Sequence, residues 1–413
     1  MEIRPILSAL LRSKTAPILI AMQVAISLAI LANALYVVSL RQAASARPSG
    51  VADESSVFYM STRPLQKRSH VDTLAQQQRD VEAMSAIPGV ASVSQTSQMP
   101  LSRSGSTSGW SLDRKQARSS ASVSMYFTAD PFIKTLGLKL VDGRDFNAGD
   151  IVELDTEVED LDKKFPKGVI ITKPLADFLF PGVPSVIGKT ILYGTGDSAA
   201  ETRIIGVVER LQSTGASVKP TGEYSAIIPV RISTPFSRIA VRTEPGQRDR
   251  VMAEAETVLR KASPVPMIVR SKTMETDRID RYRNERALVW MLLAVCALLL
   301  LVTASGIVGM ATLRVAQRKK LIGVRRALGA RKRDILRYFI VENFIITSGG
   351  VVAGLLLAVG LNQLLVSQLE MTKLPMTYLA YGAGALWLLG LVAVYGPAWR
   401  AASISPAIAT RSA

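Results

Sequence analysis

Residues 314–337 read RVAQRKKLIGVRRALGARKRDILR, ten Lys or Arg against one Asp, and the stretch lies between two long uncharged segments. A net charge of about +9 cannot sit in hydrocarbon, where one Lys or Arg at the centre of a span costs about 2.5–3.5 kcal/mol. It must separate two membrane crossings. Working outward, residues 287–313 and 343–369 contain no Asp, Glu, Lys or Arg, and neither do residues 15–40 or 374–399. Each run exceeds the roughly 20 residues that cross about 30 Å of hydrocarbon. The chain therefore reads as a membrane protein with four transmembrane α-helices, at residues 15–40, 287–313, 338–369 and 374–399.

Lys and Arg concentrate in the short loops on the inner side of a membrane. That rule puts residues 1–14, the 314–337 loop and the 400–413 tail inside. The large segment at 42–285 and the short turn at 370–373 fall outside. Most of the net charge of +17 lies beside membrane ends in this arrangement, which argues against a nucleic-acid-binding protein. The first span, at about 26 residues, is too long for the 7–15-residue apolar core of a cleaved leader and is expected to remain as an anchor.

The chain has one cysteine, Cys296, and one histidine, His70. No disulfide can form within it, so the outer segment must hold together by burying a core. No Cys/His set exists for a metal, and His70 reads as a solvated surface residue. The outer segment carries two strand–helix–strand patterns. Val57–Met60 precedes a helical spacing at Leu74, Val81, Met84 and Ile87, stopped by Pro88-Gly89, and then Val90–Val93. Near the far end, Ile239 and Val241 alternate with Arg238 and Arg242, followed by Val251, Ala255, Val258 and Leu259 and then Val265–Val269. These are expected to combine into a split, porter-like α/β part of an α+β domain, with a β-rich lobe inserted at about residues 130–225. Residues 101–120 (LSRSGSTSGWSLDRKQARSS) read as an exposed loop, with a substrate or partner contact through Trp110 as the alternative. Residues 271–286 are densely charged and are expected to form a helix continuing into the second span.

No engine is visible. Gly182 to Thr190 (GVPSVIGKT) places five residues between glycines where a phosphate loop needs four, and Pro181 and Pro184 oppose its geometry. One histidine cannot furnish a Ser/His/Asp set. No catalytic residue, resident cofactor or metal is expected, and motion must be supplied by a partner. Within 314–337, residues 316–322 are compatible with a helix, Gly323 permits close approach, and the segment ends in Gly329-Ala330. Asp334 favours a new helix start. Small residues let helices pack closely in lipid, which marks Gly350 and Gly354 in the third span and Ser305 and Gly309 in the second. Glu342 is costly against lipid and is expected to face the bundle or the interface.

Gln317–Ala330 followed by Asp334-Ile335-Leu336, with Glu342 leading into Ser348-Gly349-Gly350, closely resembles the signature of MacB-like and FtsX-like ABC transporter permeases. Phe132-Ile133-Lys134-Thr135-Leu136-Gly137, Asp142-Gly143-Arg144-Asp145-Phe146, Ile187-Gly188-Lys189 and Ile205-Gly206-Val207-Val208 resemble motifs of the family's outer domain. Gly396-Pro397-Ala398-Trp399-Arg400-Ala401-Ala402 and Ser405-Pro406 are similar to its terminal pattern.

The resemblance implies a permease of the type VII ABC superfamily, with a periplasmic domain after the first span and a coupling helix between spans two and three. Lys320, Leu321, Gly323, Val324, Arg325, Arg326, Leu328, Gly329 and Ala330 would be the coupling residues. It implies a separate dimeric ABC ATPase holding ATP and Mg, since no ATPase is fused within these residues as it is in MacB. A second permease, a periplasmic adaptor and a TolC-like outer-membrane channel are the other implied partners. The implied activity is export of antibiotics, peptides or other periplasmic substrates from the bacterial inner membrane by mechanotransmission. FtsX-like envelope regulation and lipoprotein extraction remain open beside it. Where the family has Glu-Ile-Gly, this chain has Leu321-Ile322-Gly323, which fits either drift or one half of an unlike permease pair.

Overall fold

The computed structural model describes residue 10 and residues 15–155, 159–234, 237–369 and 373–403. The expected inner N-terminus, most of the 370–373 turn and the tail beyond 403, with Ser405-Pro406, lie outside the described residues. The chain divides into two compact units, residues 43–285 and residues 1–42 with 286–413.

After helix α1 (Thr15–Ser45), the inter-span unit opens with β1 (Val57–Pro64), α2 (His70–Ser85) and β2 (Val90–Thr96). A lobe follows: β3 (Thr107–Ser111), β4 (Ala121–Phe127), α3 (Phe132–Leu136), β5 (Leu140–Gly143), β6 (Val152–Leu154), β7 (Gly168–Thr172), α4 (Lys173–Leu179), β8 (Thr190–Tyr193), β9 (Ala200–Val208), β10 (Ser225–Ile228) and β11 (Val230–Ile232). The unit closes with β12 (Ser237–Thr243), α5 (Arg248–Ala262) and β13 (Met267–Thr273).

The two strand–helix–strand patterns interleave in one antiparallel sheet of order β13-β1-β12-β2. Side chains alternate across a strand, and β1 uses both faces. Phe58 and Met60 pack with Val251, Ala255 and Leu259 of α5, while Val57 and Tyr59 join a second core with Leu136 and Tyr126. In the lobe, strands run β5-β9-β7-β10-β4-β3-β8, and β8 also pairs with β9. That extra pairing closes six strands into a ring around Trp110, Val123, Ile171 and Ile191.

Four expectations change here. The lobe begins at β3, before residue 130, because β3 and β4 complete the ring. Trp110 is neither exposed nor on a loop: it is 0% exposed and meets Phe165 and Tyr193 edge-on at 6.1 and 6.2 Å. His70 is half-buried at the start of α2, with Nδ1 2.7 Å from Ser233 Oγ, so it is not a solvated surface residue. The charged 271–286 stretch is also shared between elements, since Ser271 to Thr273 finish β13.

The remaining helices are α6 (Met274–Gln317), α7 (Lys319–Ala327), α8 (Lys332–Leu369) and α9 (Met376–Ala402). Four helices, α1, α6, α8 and α9, are long and apolar enough to cross a membrane, and α6 is unbroken over 44 residues. Within the span-bearing unit α1 is the most enclosed of the four. A Cβ on Gly350 would lie 2.7 Å from the Ala21 carbonyl oxygen, and one on Gly354 2.9 Å from that of Ala25. These two glycines are where α8 approaches the α1 backbone. Ser305 and Gly309 do not pack this way. Both lie on the exposed face of α6, and a Cβ on Gly309 would meet nothing within 4 Å. The bundle-facing positions are Thr303, whose Oγ1 lies 2.8 Å from Ser27 Oγ on α1, and Gly306 against Gln23. Asn33 Nδ2 donates to the Ala358 carbonyl at 3.1 Å and Asn343 Nδ2 to that of Gly390 at 3.0 Å. Such bonds join helices where apolar burial supplies no drive.

Candidate coupling site

The 314–337 stretch folds as a helix end, a short helix and a helix start. Arg318 separates α6 from α7 with non-helical backbone, and α7 runs Lys319–Ala327. Its end is set by Gly329, whose φ of +96° is open to glycine at no steric cost. The Gly329 N–H donates to the Arg326 carbonyl at 3.2 Å and the Ala330 N–H to that of Arg325 at 3.0 Å, the paired bonds of a Schellman cap. Helix α8 then starts with the Arg331 N–H donating to Asp334 Oδ2 at 2.9 Å. An acid in the first turn also suits the positive end of the helix dipole.

Helix α7 has two faces. Ile322, 4% exposed, packs with Ile335, Phe339, Ala398, Ala401 and Ala402 from α8 and α9. Gly323 is buried beside it, and Arg326 and Ala330 are half-buried. The other face holds Leu321, Val324 and Leu328, at 51, 48 and 82% exposed, with Lys320, Arg325 and Gly329 also exposed. Positions 321, 324 and 328 follow helical spacing, so the three apolar side chains form one stripe flanked by cations. Leu321 belongs to that stripe. Arg318 and Arg325 lie over the Tyr338 ring at 5.6 and 5.5 Å, which fastens both ends of the α7 backbone turn to α8.

Behind α7 lies a feature that residue counting missed. Glu342, 2% exposed, faces the bundle and accepts from Arg314 Nη1 at 2.7 Å; Arg314 is itself 8% exposed. Arg318 Nη1 lies 3.5 Å from the same carboxylate and donates to the Tyr338 hydroxyl at 2.6 Å. The cluster joins the end of α6 to α8 at the two ends of the loop that carries α7. The available signal was depth. Arg314 is the first charge after the second span and Glu342 the last before the uncharged part of the third, so the two sit at one level of the membrane.

The chain matches the model described as "MacB-like periplasmic core domain" over residues 20–258 and that described as "FtsX-like permease C-terminal" over residues 293–406. It is 25% identical over 305 residues to the macrolide export ATP-binding/permease protein MacB of Agrobacterium fabrum, covering 72% of this chain and 44% of that protein. It is 26% identical over 257 residues to the pyoverdine export ATP-binding/permease protein PvdT of Pseudomonas fluorescens, covering 59% of this chain and 37% of the relative. The chain thus spans less than half the length of these relatives. Among solved structures, the extracellular domain of the transporter YknZ from Gram-positive bacteria aligns with 52% of this chain and 100% of its own, at 15% identity and a TM-score of 0.33.

Proposed function

Because the chain belongs to the MacB-like, FtsX-like permeases of ABC transporters, we propose that it converts ATPase movement on the inner membrane face into work by its inter-span domain on the other. The observation that carries this is the two-faced α7: Ile322 and Gly323 hold it against α8 and α9, while Leu321, Val324 and Leu328 stand exposed. An apolar stripe ringed by cations suits the groove of an ATPase, which holds the ATP and Mg²⁺. Force on α7 reaches α6 and α8 through Arg314, Arg318 and Glu342. The unbroken α6 carries it onward.

In this reading the inter-span domain is periplasmic, the membrane is the bacterial inner membrane, and the +9 loop faces the cytoplasm. The exposed span of α6 receives a second permease. The relatives' names speak for export, of macrolides in one and pyoverdine in the other. Substrate is taken from the periplasm and passed on by an adaptor and an outer-membrane channel.

Two substitutions test the coupling. Leu328→Asp places a charge in the exposed stripe, and Gly323→Pro breaks α7 while adding bulk on its buried side. Each is expected to lower stimulation of the co-expressed ATPase at least about tenfold, the effect of losing roughly 1.4 kcal/mol of docking free energy. Membrane insertion, read by protease accessibility of the inter-span domain, should be unchanged. Full stimulation in both variants would remove α7 from the coupling path. Export itself is tested by drug susceptibility and secreted products of cells with and without the chain; normal export with inner-membrane lipoprotein accumulation would favour lipoprotein extraction instead.

A further inference from the structure

The inter-span unit holds a cavity of about 360 Å³ that the coupling reading does not use. Its walls are the end of β1, the loop at residues 65–68, the first turns of α2, and the residues that follow β6 and β11. The volume lies in the usual range for small-ligand sites.

Two polar groups in its wall are incompletely bonded. Gln77 is 3% exposed, and its Nε2 donates to the Ile232 carbonyl at 3.0 Å. That bond orients the amide and leaves Oε1 buried with no partner among the described residues. Arg68 donates through Nη1 to Gln76 Oε1 at 3.3 Å, while its Nη2 is likewise buried and without a partner. Buried acceptors and cationic donors are rarely left unmet. Both residues line the same cavity, and no single small apolar molecule satisfies them. Leu65, Pro64 and Met267 supply apolar wall between them.

We propose that this cavity binds a small organic anion that also carries an N–H or O–H donor, the donor meeting Gln77 Oε1 and the anionic group meeting the Arg68 guanidinium. A carboxylate or a phosphate fulfils the anionic part. The Arg68 fork takes two oxygens of either, and a guanidinium is suited to such bidentate recognition. The site shares no residue with α7 or with the ion cluster in the spans, so either assignment can fail alone.

The chain supplies its own reporter. His70 is the sole histidine, it lines the cavity, and its Nδ1 touches Ser233 Oγ in the same wall. Full-length protein in detergent, labelled with ¹³C-histidine, gives one imidazole signal. That signal is titrated with the dipeptide Ala-Phe, with Ala-Phe amide and with glycerol 3-phosphate. A saturable shift with Ala-Phe or with glycerol 3-phosphate is expected, and which one binds tighter assigns the anion. Ala-Phe amide should bind about tenfold more weakly than Ala-Phe if the carboxylate is the group recognised. Gln77→Leu should weaken the tighter probe by about tenfold. Arg68→Gln, at a less buried position, should do the same and covers the case in which Gln77→Leu fails to fold. No saturable shift with either anion up to about 10 mM, a threshold near the weakest useful affinities, overturns the proposal. So does unchanged affinity in Arg68→Gln.

Discussion

Glu342 in the membrane spans and Asp80 in the inter-span domain are equally hidden, each 2% exposed, yet they are housed in opposite ways. Glu342 sits against two guanidinium groups, Arg314 at 2.7 Å and Arg318 at 3.5 Å. Asp80 receives one neutral donor, Gln76 Nε2 at 2.6 Å. Burial pushes Asp80 up to about 6, and the Gln76 bond and the more distant charges of Arg68 and Arg79 only partly oppose it. A carboxyl group taken out of water either finds a cation or keeps its proton. The first arrangement joins the end of α6 to α8. The second rests on one neutral hydrogen bond, and its protonation state moves with pH.

This division fails most visibly if Glu342 can be removed cheaply. Glu342→Leu leaves Arg314 buried without its carboxylate, and breaking a buried pair from one side costs about 3–5 kcal/mol. Little monodisperse protein should survive mild heating in detergent. The double variant Arg314→Leu with Glu342→Leu should recover most of the loss, because replacing both partners by apolar groups is often neutral. Its ATPase stimulation should nevertheless stay low if the cluster transmits force. Equal heat resistance of Glu342→Leu and the parent chain would show that the pairing is incidental.

A smaller effect is expected at Asp80, and its sign depends on pH. The folded carboxyl holds its proton up to about 6 against an ordinary value of 3.8. Between these values the folded state binds more protons than the unfolded one, so stability falls as pH rises through the window and stays lowered above it. At about 1.4 kcal/mol for each pH unit the window spans, the loss amounts to roughly 3 kcal/mol at most. Asp80→Asn keeps an oxygen for Gln76 and carries no charge. It should therefore stabilise the chain at pH 7.5, with the gain shrinking to nothing near pH 4, as read by chemical denaturation across that range. A gain independent of pH would mean that ionisation is not its origin.

The contrast also shows what the amino-acid sequence could and could not reveal. The two strand–helix–strand patterns were legible because one face of each element is buried, which imposes periods of 2 and 3.6 on side chains such as Phe58, Met60, Val251, Ala255 and Leu259. The 314–337 stretch was legible as a break between two spans because charge is excluded from lipid, and the end of its short helix because Gly329 has a conformational role. Trp110 was hidden because its burial comes from closure of a six-stranded ring, built from residues far apart in the chain, while its own neighbours are Ser and Gly. Ser305 and Gly309 misled for a different reason. A span is apolar on all sides, so composition does not say which face of α6 meets α1. The ion cluster needed two residues 28 apart to be read by depth rather than by spacing. The cavity beside His70 depends on β6 and β11 arriving next to α2, a contact that no local pattern encodes.

Asp277 supplies an intermediate case and the smallest expected effect. It is 1% exposed, more hidden than either carboxylate above, and it combines both kinds of partner. Lys272 Nζ lies 2.6 Å away at the solvent side, and the Tyr59 hydroxyl donates from the core at 2.9 Å. Burial first, and the Asp277 charge second, raise the Tyr59 hydroxyl above its ordinary value, so it remains a donor at any physiological pH. Tyr59→Phe removes that donor without opening a large space and leaves the lysine in place. A hydrogen bond to a charged group contributes about 1.5–3 kcal/mol, and the lower end applies where a cation remains to satisfy the acid. The expected loss is therefore about 1.5 kcal/mol, measured by denaturation at pH 7.5. Adding Lys272→Met to Tyr59→Phe should cost more than the two single losses together, because only the pair leaves Asp277 with neither partner. Strict additivity would mean that the two partners act independently, and the division between paired and protonated carboxylates would then be too coarse to describe this domain.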